Sequence, residues 1–164
     1  MTKKRKVIIA VLSAAIALTL AFIWGNSMLT GETSAAIRGA LMQKMNTAAR
    51  WLGLGDDLFT VMVDEDGDGV TEPSSYLVRK IAHVTEFAAL AMLLWWAFEQ
   101  GSYRRGLRAF AVSAVCAAAD EFIQLFSHRG SQVRDVFLDA AGALLGLGII
   151  RLIQMVKAKE TDRT

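Results

Sequence analysis

The chain holds one cysteine and two histidines among 164 residues. A lone Cys116 cannot close an internal disulfide and leaves the redox compartment open. The Cys/His spacings of structural zinc sites are absent, as are a glycine-rich phosphate loop and a nucleophile elbow. No basic patch interleaved with aromatics occurs, and the formal net charge is only +2. Those two facts argue against a nucleic-acid partner. The run from residue 7 to residue 24 (VIIAVLSAAIALTLAFIW) has no charge at all, and only Ser13 and Thr19 are polar. A stretch of that length and composition is about what crosses the hydrocarbon core of a bilayer.

Apolar residues make up 54% of the chain, mean hydropathy is +0.37, and the apolar residues come in blocks. Lys3, Lys4, Arg5 and Lys6 precede the first block like the basic start of a signal peptide. The block is longer than the usual signal core, and no small-x-small site follows Trp24-Gly25-Asn26-Ser27. An uncleaved first transmembrane helix is therefore expected. Further candidate spans cover residues 81–98, 107–126 and 136–153, each with polar residues at one end. Gly142, Gly146 and the alanines of 109–119 supply small residues for close helix approach.

The fold expected is an all-α integral membrane protein with four transmembrane helices and one extracytoplasmic amphipathic helix. Its parts are a basic N-terminus (1–6), a first span (7–24), an extracytoplasmic segment (25–78), a core with the other three spans (79–154) and a tail (155–164). Lys and Arg concentrate at the N-terminus, at Arg104, Arg105 and Arg108, and in the tail. The positive-inside rule then places both termini in the cytoplasm.

Within the external segment, Ile37, Leu41, Met45, Ala48 and Leu52 recur at helical spacing. They predict an amphipathic helix from about Ser34 to Leu52, ended by Gly53 and Gly55. It would lie on the outer leaflet or cover the mouth of the bundle. Beyond it, Asp64, Asp66, Asp68 and Gly69 fit the early positions of an EF-hand-type calcium loop. Ser75 stands where the bidentate Glu belongs, so Glu72 would have to serve as a ligand. A solvated acidic turn is the competing reading.

Three polar stretches carry the chemistry. Lys80, His83 and Glu86 share one helix face, and Asp120 and Gln124 share another, with Glu121 turned about 100° away. Asp135 and Asp139 form a stripe with Gly142 and Gly146, and Arg129 lies in the preceding turn. In the four-span topology all three stretches meet in the outer leaflet. Ionisable groups at that depth are costly and mark functional sites. Simple pairing of Arg129 or Arg134 with Asp120 or Glu121 is the structural alternative. It is a costly way to fix packing, because desolvation offsets the Coulomb gain.

Three chemistries stay open on these residues. One is acid–base catalysis on a lipid-linked or cell-wall substrate, with His83 or Glu121 as base and Arg129 or Lys80 holding an anion. Another is binding or transport of a charged headgroup. The third is a metal site from His83, Glu86 and Asp120 or Glu121.

Taken together, Arg79-Lys80-x-x-His83-x-x-Glu86-Phe87, Asp120-Glu121-x-x-Gln124-x-Phe126, Arg129, Asp135-Val136 and Asp139-x-x-Gly142 resemble the VanZ-like family of small membrane proteins. The resemblance covers about residues 79–146. It implies a multi-pass helical protein of the bacterial cytoplasmic membrane, in a family named for low-level resistance to the glycopeptide teicoplanin. The partners it implies are membrane lipids and a lipid-linked cell-wall precursor, a surface polymer or the glycopeptide itself. Ser127-His128 stands where the family often turns at Pro-Gly, and the Asp-rich loop is outside the family pattern. The matched residues carry no assigned roles, and a non-catalytic binding or assembly partner fits them too.

Overall fold

The computed structural model describes residues 2–63, 72–98, 104–126 and 133–161. Its helices are α1 (Lys3–Ser27), α2 (Gly31–Trp51), α3 (Tyr76–Ala97), α4 (Arg105–Phe126) and α5 (Val133–Thr161). A short antiparallel ribbon joins β1 (Val61–Val63) to β2 (Glu72–Ser74), pairing Val61 with Ser74 and Met62 with Pro73. The ribbon is an addition to the all-helical expectation. The chain divides into two compact units, one of Met1–Met28 with His83–Thr164, the other of Leu29–Ala82.

In the first unit, α1, α4 and α5 are long and apolar enough to cross a membrane. The outward surfaces of these helices are apolar: Leu18, Phe22, Val115, Phe137, Leu144 and Leu152 are all exposed. Hydrocarbon solvates such surfaces without penalty, and a helix satisfies its own backbone there. The helix α3 does not meet the same measure of length and hydropathy, because Lys80, His83 and Glu86 interrupt its first half. The four expected spans therefore stand as three apolar helices plus this more polar one.

A small apolar core joins the helices: Ile23 of α1, Phe87, Leu90 and Leu94 of α3, and Ala109 and Ala117 of α4. α5 meets α3 backbone to backbone. A Cβ added at Gly142 would stand 2.6 Å from the Val84 carbonyl oxygen, and one at Gly146 would stand 2.9 Å from Ala88 Cα. No side chain fits at either position, which is how small residues let membrane helices approach. Near the C-terminal end of α3, Arg105 donates from Nε to the Trp95 carbonyl and from Nη2, at 3.4 Å, to that of Trp96. Its guanidinium lies 3.6 Å from the centroid of the Trp95 ring. A cation there complements the helix dipole and satisfies carbonyls that the helix leaves open.

In the second unit, α2 starts where Thr30 accepts from the Thr33 amide. It ends at Trp51, and Gly53 and Gly55 follow with φ of +70° and +113°. Those are backbone conformations that L side chains rarely adopt. The helix starts three residues earlier than its periodicity predicted, and its covered face also differs. Ser34, Asn46 and Ala49 are buried, whereas Ile37, Leu41, Trp51 and Leu52 are exposed. Asn46 accounts for the difference. Its side chain accepts from the Phe59 amide at 2.8 Å and donates to Thr60 Oγ1 at 2.8 Å, so the following loop folds back onto the polar side.

Candidate functional site

The polar centre lies within the first unit and is built by four helices. α3 contributes His83, α4 contributes Asp120, Glu121 and Gln124, α5 contributes Asp135 and Asp139, and the last turn of α1 contributes Ser27. All seven are buried, with Asp120, Gln124 and Asp139 at 0% exposure. His83 Nδ1 stands 3.1 Å from Asp139 Oδ1. Asp120 is held at both oxygens: Ser27 donates to Oδ1 at 2.6 Å, and Gln124 Nε2 donates to Oδ2 at 2.8 Å. The amide of Gln124 also reaches Ser27 Oγ at 3.5 Å. One ligand atom each from His83, Asp120 and Asp139 lies within 4.8 Å of the others.

Helical spacing explains the local arrangement. Asp120 and Gln124 are one turn apart, so one side chain can brace the other. Asp135, Asp139, Gly142 and Gly146 follow one stripe of α5. The backbone contact at the glycines therefore draws Asp139 against the α3 face that carries His83.

Among the described residues, His83, Glu121 and Asp135 lie close enough to bear on Asp139, and His83 and Asp139 on Asp120. Asp139 Oδ2 is buried with no hydrogen-bond partner among the described residues. Such an orphan atom in a dry interior calls for a physical reason.

The other candidate residues lie elsewhere or outside the described chain. Lys80 is half-buried with its ammonium 4.9 Å over the Tyr76 ring. Glu86 is half-buried and lines a groove with Leu18, Thr19 and Phe22 of α1 and Thr85 and Ala89 of α3. Arg129 lies outside the described residues, as do Asp64, Asp66 and Asp68 of the acidic loop, and Glu72 is described in backbone only. Ser27 was missed from sequence. It sits at the end of a long apolar run, and no periodicity marks it.

An ionisable centre enclosed by long apolar helices defines a helical membrane protein. The VanZ/LLP1 family model matches residues 7–154, and the chain belongs to that family. It is similar to "Uncharacterized membrane protein YwnJ" of Bacillus subtilis (strain 168), with 36% identity over 94 residues. That match covers 57% of this chain and 63% of the relative's length. No solved structure matches the chain.

Proposed function

We propose that this chain is a four-span protein of the bacterial cytoplasmic membrane, both termini inside, whose buried centre acts on an envelope component. The component is a lipid-linked cell-wall precursor, a surface polymer or an amphiphilic glycopeptide, and the outcome is reduced susceptibility to teicoplanin. The observation that supports this reading is the pairing of His83 with Asp139 beside Asp120, buried among apolar helices. Buried ionic groups seldom increase stability over apolar packing, so their presence favours a chemical or binding role. Positive-inside counting with α3 as a span puts the centre near the outer face, where envelope precursors and glycopeptides meet the membrane. Membership of the VanZ/LLP1 family supports the envelope assignment.

The test expresses wild type and Asp139→Asn at matched membrane levels in a sensitive Gram-positive host and compares teicoplanin with vancomycin susceptibility. Selective protection by wild type, lost in Asp139→Asn, is expected. Equal protection by both would overturn the role of the centre, and protection by neither would overturn the link to glycopeptides.

A further inference from the structure

We infer that His83, Asp120 and Asp139 form a binding site for one divalent transition-metal ion, of the zinc or manganese kind. This rests on the reading of the same centre as the functional site, and it names what the centre holds. Ligand atoms about 2.0–2.2 Å from one ion stand roughly 3–4.4 Å from each other, depending on the bond angles. The 3.1 Å between His83 Nδ1 and Asp139 Oδ1 already has that spacing. All three ligand atoms fall within 4.8 Å of one another, so small side-chain adjustments bring them around a common point.

A further observation points to a cation. Asp139 is fully buried, yet its Oδ2 has no hydrogen-bond partner among the described residues. A cation held by Asp139 through both carboxylate oxygens would satisfy Oδ2 as well.

The outer groups match a metal site too. Ser27 and Gln124 each donate to one oxygen of Asp120 and fix its orientation, while each oxygen keeps a lone pair for a ligand bond. One imidazole with two carboxylates suits zinc, manganese or iron better than a hard ion that takes oxygen alone. The sequence reading had placed Glu86 among the candidate ligands. The structure puts Asp139 there and leaves Glu86 on the groove against α1.

The experiment uses the full chain purified in detergent, loaded separately with Zn²⁺ and Mn²⁺, passed into metal-free buffer and assayed for retained metal. Wild type should retain about one ion per chain, and Asp120→Asn/Asp139→Asn less than about a tenth of that. Ser27→Ala keeps all three ligands and should bind about 10–100-fold more weakly, which separates positioning from folding. Asp64→Asn/Asp66→Asn/Asp68→Asn should retain as much metal as wild type; if it retains none, the ion sits on the acidic loop and the assignment fails. Cobalt loaded into wild type should show ligand-field bands that shift in His83→Gln. A monodisperse wild type that retains neither ion would overturn the proposal, as would retention unchanged in the double variant. These readouts need no susceptibility assay, so a protective protein without metal would refute the site alone. A metal-bound protein without protection would refute only the glycopeptide reading.

Discussion

Two regions of this molecule bury polar side chains, and they do so in opposite ways. In the Leu29–Ala82 unit, Asn46 is neutral, its partners Phe59 and Thr60 follow 13 and 14 residues later, and it both accepts and donates at 2.8 Å. In the other unit the buried groups are ionisable. His83 meets Asp139 56 residues away, Asp120 meets Ser27 93 residues away, and Asp139 Oδ2 has no hydrogen-bond partner among the described residues. Asn46 is fully explained by the loop it pins. The His83–Asp139–Asp120 centre is not explained by packing, because an apolar cluster at the same depth would be cheaper. A structural polar residue is local, neutral and satisfied, whereas this centre is none of these.

Breaking the centre one residue at a time should give the largest stability effect. Asp139→Leu or His83→Leu alone leaves a buried partner uncompensated and should cost about 3–5 kcal/mol. The double variant His83→Leu/Asp139→Leu should recover most of that loss in denaturant titration of the purified protein. Teicoplanin protection should be absent from all three. A double variant as unstable as either single, with protection intact in a mild variant such as Asp139→Asn, would make the centre a packing device like Asn46. Next in size is the seam beside it. Gly142→Ala and Gly146→Ala each push a methyl group into the α3 backbone and should cost about 1–3 kcal/mol, measured the same way. Equal tolerance of Ala and Leu at these positions would show that the seam does not hold Asp139 against His83.

Much of the centre was legible in the sequence, because it rests on periodicity. The stripe from Asp135 to Gly146 and the Asp120–Gln124 turn follow from helical spacing alone, and both fall where the spacing puts them. The partner of His83 was less legible. Glu86 is nearer in sequence, but it points to the α1 groove, while Asp139 arrives from α5 because two glycines let that helix in. Which neighbour a helix face meets depends on packing between helices, and one helix's spacing carries no record of it. Ser27 had no signal for the same reason. The Val61–Val63 and Glu72–Ser74 strands are too short for an alternating pattern to register, and Pro73 speaks against a strand. On α2 the apolar spacing of Ile37, Leu41 and Leu52 was real, yet those residues are exposed and Asn46 is buried. Hydrogen bonds to the loop outweighed apolar periodicity there.

Asn46→Ala gives the smallest effect and the sharpest contrast. It removes one bond to the Phe59 amide and one to Thr60 Oγ1, each worth about 0.5–1.5 kcal/mol. Because both partners lie in the same unit, the loss should stay local. Faster amide exchange at Phe59 and quicker proteolytic cleavage between Leu52 and Thr60 are expected, with metal retention and teicoplanin protection unchanged. The substitution replaces a neutral, satisfied group, so no buried charge is stranded and the global unfolding midpoint should move less than in Asp139→Leu. If Asn46→Ala instead abolished protection at normal expression, the Leu29–Ala82 unit would belong to the active machinery. The division between a structural polar anchor and a functional polar centre would then fail at its simpler end.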